Sequence, residues 1–409
     1  MLFRSAHFEE LRELSTLAGD KASLAMGMAG QVMDHWIHAR VREASALADE
    51  LMALVEAIAD PDLIVGLSWI PTLVKIETGE HSDVARWSQT VIELADGDPT
   101  KGNFIMGSPL AFAHGTRAVG RAGVGRPLAE VLPALPVAVA MARETDPTTH
   151  AMVVAFTYGL GIGVKALLAD DAALELIEEA VQIAERSADD FALGHARYAL
   201  GLALMHRDAP ADRERGLTAL EQLRDMCQRD HWTLSEVPEI EAFIAFEQAS
   251  RGDPDGAIAT LRAAVDDLFE AGQFGWCIPP TGMFVETLLT RGGEADLQQA
   301  QTAIERLAAA PNHEMVDREI WLLRLRALLA GARGDEAAHQ DFSRQYRAMA
   351  TKLGRLGHMA MSDSWTVRAA AAGASRILSA SARMSRKPVW SKVIQWSTAP
   401  RRRTKSDPR

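Results

Sequence analysis

Cysteine is nearly absent: Cys227 and Cys277 are the only two, fifty positions apart. A secreted, disulfide-stapled scaffold carries more of them at short spacings, so both are read as reduced core thiols, without a disulfide or metal role. Tyrosine and phenylalanine are scarce, at 3 and 12, which removes residues that favour strands. Long apolar runs are missing too. The longest uncharged run, Pro147 to Val164, has eighteen residues and includes Thr148, Thr149, His150 and three glycines. A membrane span needs about 20 strongly apolar residues, so this run reads as a buried helix. The N-terminus, Met1-Leu2-Phe3-Arg4-Ser5, shows no apolar signal core and no small-residue cleavage site. The expected location is cytoplasmic, with no membrane contact.

Catalytic signatures are missing as well. No Gly-x4-Gly-Lys-Ser/Thr loop is present to cradle phosphates, and no Gly-x-Ser-x-Gly elbow is present to present a nucleophile. His313-Glu314-Met315-Val316-Asp317 begins like a zincin motif but ends in Asp, and reads as a helix start. His35 and His38 beside Asp34 read as two partly exposed histidines on a helix rather than a metal site. The pairs Asp170-Asp171, Asp189-Asp190 and Asp266-Asp267 suit helix starts and solvated faces better than a shared proton. Neither a cofactor nor a metal is expected, and the chain is not expected to be an enzyme.

What is present is helix former. Of 409 residues, 48% are apolar and 24% charged, the balance of an ordered protein outside the membrane. The formal charge is −12, but the segment from Gly373 onward is +9, which leaves −21 on the rest. The acidic body disfavours nucleic acid; the tail leaves that possibility open.

Small or apolar residues at 3-4-3 spacing mark one face of a helix. The pattern occurs at Ala44/Leu47/Leu51/Leu54, Val84/Trp87/Val91/Leu94, Leu132/Leu135/Val139/Ala142, Leu174/Ile177/Val181/Ala184, Gly216/Ala219/Leu223/Met226, Ile258/Leu261/Val265/Leu268, Leu297/Ala300/Ile304/Leu307 and, more weakly, His339/Phe342/Tyr346/Met349. The separations are 40, 48, 42, 42, 42, 39 and 42. A second helix set lies between, for example Ala192 to Met205, Pro238 to Ser250 and Val316 to Leu329. Turn signals such as Arg251-Gly252-Asp253-Pro254-Asp255-Gly256 separate the two. The expected fold is all-α: a tetratricopeptide-like solenoid of about eight helix pairs with a period of about 42 residues and a groove. Leu200-Gly201 echoes the Leu-Gly pair by which such helices approach closely.

The expected organisation is a partial repeat helix over 1–20, the solenoid over 21–361, and a frayed helix with a basic, disordered tail over 362–409. Residues 3–18 read as one helix with Phe8, Leu11, Leu14 and Leu17 along one side. By phase it is the second member of a pair whose first member is missing. The chain is therefore expected to be the detached C-terminal part of a longer ancestral protein, frayed or self-associating at that end. The 48-residue separation marks an insertion over 100–109 and 120–127. Loops of this kind carry function more often than the elements they join. Lys101 and Asn103 in the insertion, with Trp232 and Trp276 near inter-helix turns, are the candidate residues for binding a partner or ligand.

Several stretches carry a family resemblance: Gly19 to Ala25, Ala95 to Ile105 with Gly107 to Ala111, Ala184 to Asp190, His206 to Gly216, Gly275-Trp276-Cys277-Ile278-Pro279, and Arg318 to Leu329. The chain resembles the C-terminal helical-repeat region of bacterial signalling proteins that join a class III adenylate/guanylate cyclase domain to an ATPase domain. Some of their relatives end in a LuxR-type DNA-binding domain. The resemblance covers roughly residues 8 to 361, and 95–111 with 275–279 are its most specific stretches. The cyclase and ATPase domains are absent, so no catalytic residue carries over. Arg355-Leu356-Gly357-His358 stands where the family has Phe-Glu-Gly-His, and nothing beyond Trp365 matches. The resemblance implies a non-catalytic regulatory module of cyclase–ATPase signalling that binds a protein partner or small effector in its groove. Two other readings stay open: a residual nucleotide-dependent enzyme or regulator, and nucleic-acid binding through Trp390, Trp396, Arg401-Arg402-Arg403 and Lys405.

Overall fold

Asp-Pro and Ser-Pro steps open many of the helices. The carboxylate of Asp60, Asp146 or Asp253, or the hydroxyl of Ser108, accepts a backbone N–H of the first turn, and the following Pro61, Pro147, Pro254 or Pro109 fits that turn because its missing N–H would be unpaired there anyway. The computed structural model describes residues 5–311 and 314–362. The tail reading, with Trp390, Trp396 and Arg401–Arg403, and residue His313 lie outside them.

A first helix, α1 (Ser5–Ala18), precedes eight pairs. They are α2 (Lys21–Ile37) with α3 (Val41–Ile58); α4 (Pro61–Leu67) and α5 (Trp69–Thr78) with α6 (His81–Ala95); and α7 (Pro109–Gly123) with α8 (Leu128–Val131) and α9 (Ala134–Arg143). Next come α10 (Pro147–Val154) and α11 (Leu160–Gly163), joined by a π-helical turn at Ala155–Gly159, with α12 (Asp171–Ser187); then α13 (Asp190–Met205) with α14 (Pro210–Asp230). The last three are α15 (Val237–Ser250) with α16 (Pro254–Ala271), α17 (Ile278–Arg291) with α18 (Glu294–Ala308), and α19 (Val316–Ala332) with α20 (Glu336–Leu353). No strand occurs among the described residues. Each 3-4-3 face lies on the second member of a pair. Two members are split where proline interrupts: Pro71 has no N–H for the Leu67 carbonyl, and Pro133 separates α8 from α9.

The two members of each pair differ in burial. The first members form an inner layer that is apolar nearly all round: every residue of α5 is buried, as are ten residues of α17. The second members are amphipathic and outer; α20 buries only Tyr346, Ala350 and Leu353. Glycines set the approach between layers. A Cβ on Gly201 would meet Leu220 at 2.4 Å, and one on Gly120 would meet the Ala85 backbone nitrogen at 2.6 Å.

The pairs wind far enough to touch after one turn. Arg42 donates to the Phe269 and Glu270 carbonyls, 227 and 228 residues away. Trp321 donates to the Val164 carbonyl across 157 residues, and Arg355 to the Ala122 carbonyl across 233. At roughly 42 residues per pair, these contacts join pairs about four to five apart, as in a superhelix. The inner face is consequently packed rather than an open groove. Around α1 the cover is thinner: Phe8 packs on Gly30, yet Leu11, Leu14 and Leu17 are 37%, 57% and 86% exposed. No helix among the described residues is long and apolar enough to cross a membrane.

Candidate functional site in the superhelix interior

The inner helices bring three carboxyl groups into the packed interior. Glu77 comes from the end of α5, Glu239 from α15, and Glu236 from a short 3-10 turn, Leu234–Glu236, that enters α15. All three are fully buried, and none forms an ion pair with lysine or arginine among the described residues. The loop feeding this turn is strained. His231 and Thr233 have φ of 50° and 41°, a region that β-branched threonine rarely visits. The strain is the cost of inserting Ser235 and Glu236 inward.

Glu77 bridges the two superhelical turns. It accepts from Trp36 Nε1 of α2 at 2.5 Å and from Gln273 Nε2 at 2.9 Å, while its own carbonyl accepts from Gly275 N at 2.8 Å. Burial pushes its carboxyl up to about 8; the two hydrogen bonds pull it down, and nearby Glu239 pushes it further up. Glu239 accepts from the Tyr198 hydroxyl at 2.5 Å and is raised by burial to about 7. Glu236 is held well above the ordinary carboxylate range by burial and by Glu77 and Glu239. An ionised carboxylate without a countercharge is too costly in such surroundings.

His195 of α13 stands 3.7 Å from Glu236. Trp36, Phe156, Phe191 and Trp232 surround its ring, with centroids 4.5 to 6.5 Å away. Burial depresses its pKa to about 4, and its Nδ1 lies 2.9 Å from the Phe191 carbonyl. A neutral ring that donates from Nδ1 presents a lone pair at Nε2. The His195–Glu236 contact is thus one between neutral groups. Six buried atoms here have no hydrogen-bond partner among the described residues: both carboxyl oxygens of Glu236, His195 Nε2, Ser235 Oγ, Gln273 Oε1 and Trp276 Nε1.

Trp276 links this cluster to a cavity. Its ring stacks on Tyr198 at 6.0 Å and also lines an interior space of about 70 Å³. The walls come from pairs two to four and, one turn later, from residues 275–278 and 315–317. Ile76, Leu128, Val131, Leu135 and Leu160 make them largely aliphatic.

Of the residues expected to bind, Trp232 and Trp276 come together around this interior, on either side of His195 and Tyr198. Lys101 and Asn103 do not join them. Lys101 donates to the Leu94 carbonyl at 2.9 Å and so ties the insertion to the C-terminus of α6. Asn103 is exposed, beside half-exposed Phe104 and Ile105. Glu77, Glu236, Glu239, His195 and His81 were not singled out from sequence. For Glu77, Glu239 and His195 the signal is a charged or titratable residue inside an otherwise apolar inner helix; Glu236, in the 3-10 turn before α15, and His81, at the start of the outer helix α6, carry no such signal. His35 and His38 flank buried Asp34, which pairs with Arg40 at 2.5 Å, and no metal-binding group of three ligands occurs among the described residues. Cys227 and Cys277 are buried free thiols, each pushed up to about 12 by burial.

No family model matches the sequence, and no curated protein matches it. Among solved structures the fold is similar to that in the crystal structure of a Rap protein complexed with Competence and Sporulation Factor. The TM-score is 0.50 at 14% identity, over 85% of this chain and 96% of that one. At that identity the likeness concerns the fold: this chain is an all-α, tetratricopeptide-like helical repeat.

Proposed function

We propose that this chain is a non-catalytic regulatory module that receives an effector inside its superhelix, within a cyclase–ATPase type of signalling system. The observation that carries the reading is the interior itself. Six buried polar atoms without partners among the described residues, and an adjoining cavity, are assembled from helices of successive superhelical turns. An occupant there touches both turns at once, so its binding free energy acts on how they pack, which is what a regulatory coupling requires. The similar Rap fold is described in complex with a factor. The signalling context rests on the resemblance over residues 95–111 and 275–279.

Native mass spectrometry of the chain purified from cells tests the reading. The expected spectrum shows a retained small molecule or peptide that is lost in Leu135→Trp, a substitution that fills the cavity. A chain that retains nothing, and whose melting temperature no cell extract moves, contradicts it. Incubation with ATP or GTP is expected to show no turnover.

A further inference from the structure

The cavity beside Trp276 has walls that are aliphatic apart from a few groups, and those groups restrict what fits. Asp317 on the wall is neutralised by Arg355 at 3.0 Å, a close ion pair without an aligned hydrogen bond. Thr157 is satisfied by the Val153 carbonyl at 2.5 Å. Two nitrogens remain. Trp276 Nε1 and His81 Nδ1 belong to lining residues that are 1% and 8% exposed, and neither nitrogen has a hydrogen-bond partner among the described residues. An indole N–H can only donate. The His81 ring is kept neutral because burial lowers its pKa. Its position is built in: a Cβ on Gly123 would sit 2.3 Å from that ring.

The remaining wall offers no free countercharge, so an ionised group entering it would lose its hydration without compensation. The interior volume of about 70 Å³ limits the occupant to a small molecule. We infer that the cavity takes a small, uncharged, apolar molecule with one carbonyl or hydroxyl oxygen, the oxygen accepting from Trp276 Nε1 beside His81. This deepens the effector reading and rests on it: the ligand's apolar body lies among Leu128, Val131 and Leu135, and its oxygen marks the boundary with the acidic cluster.

Three probes of similar shape separate the possibilities in calorimetric titrations of the full chain: acetophenone, ethylbenzene and benzoate. Acetophenone is expected to bind, ethylbenzene at least roughly tenfold more weakly, a difference of about 1.4 kcal/mol, and benzoate not at all. Trp276→Phe is expected to remove the roughly tenfold preference for acetophenone over ethylbenzene. Should that variant fail to fold, the parent chain carrying 15N-labelled tryptophan serves: one indole N–H signal is expected to shift with acetophenone and stay still with ethylbenzene. Equal affinity for the two neutral probes, tighter binding of benzoate, or no binding by any probe would overturn the assignment. If the probes fail while the purified chain still retains a cellular molecule, only the ligand class is wrong; if nothing is retained, the effector reading falls with it.

Discussion

Glu77 shows how one side chain ties stability to pH. Unfolded, its carboxyl titrates near the ordinary 4.5; folded, burial moves it to about 8. Between those values the folded chain holds a proton that the unfolded chain has released. Its contribution is therefore complete below about 4.5 and is lost as pH rises through about 8. Each pH unit in this window is worth at most about 1.4 kcal/mol. Glu77→Gln keeps a neutral, hydrogen-bonding group and removes the titration. In urea melts from pH 5 to pH 9, the parent is expected to lose about 2–4 kcal/mol relative to the variant; a pH-independent difference would mean that Glu77 is already ionised. His195 slopes the other way. Lowered to about 4, it contributes above its unfolded value near 6.5 and loses that contribution as pH falls toward 4. Neither residue was legible beforehand. A lone Glu or His in an apolar stretch has the same spelling whether it ends in water or in the core, and contacts nearly two hundred residues away decide which.

At the scale of elements, the period of about 42 was legible because each outer helix must turn one apolar stripe inward, and that stripe recurs at a fixed phase. Both interruptions, at Ser68 ahead of Pro71 and at Pro133, follow from proline, yet the 3-4-3 pattern runs across Pro133 without a break. The π-helical turn at Ala155–Gly159 left no mark in an apolar run that is buried on nearly every side. Close approach gives a sharp test. On α7, a Cβ at Gly120 would lie 2.6 Å from the Ala85 nitrogen and 2.8 Å from the His81 carbonyl of α6, and backbone cannot step aside as a side-chain tip can. Gly120→Ala is expected to cost about 1–3 kcal/mol in chemical denaturation; Gly252→Ala, with no atom within 4 Å of its Cβ, carries only the strain of φ +109°. For α1, the exposure of Leu14 and Leu17 sets the expectation. Its amides should exchange faster than those of Leu174–Ala188, unless a second copy covers the stripe and the chain sediments as a dimer. Equal protection in a strict monomer would show α1 to be better anchored than its exposure implies.

At the scale of the molecule, contact between successive turns converts a string of pairs into a body with an interior. Arg355 is one of its fastenings. Fully buried, it pairs with Asp317 at 3.0 Å and donates to the Ala122 carbonyl at 2.6 Å, while its neighbours Leu356 and His358 donate from their backbones to Ala166 and Lys165. Arg355→Ala is expected to cost about 3–5 kcal/mol, because Asp317 would be left buried without its partner. This closure was not legible in the sequence. A repeat pattern records how each pair meets its neighbour; how many pairs complete a turn depends on small rotations summed over many interfaces. The expected groove is accordingly a closed interior, and two of the four candidate residues, Trp232 and Trp276, belong to it.

Where an effector acts is the central claim, and hydrogen exchange on the full chain, with and without an extract of cellular small molecules, reads it most directly. Added protection is expected in α5 and in the π-helical turn with α11 of one turn, together with α17 and α19 of the next, since an interior occupant touches both. Protection confined to the 100–109 insertion or to the outer helices α14, α16 and α18, which line no part of the cavity, with the inner helices of both turns unchanged, would contradict it.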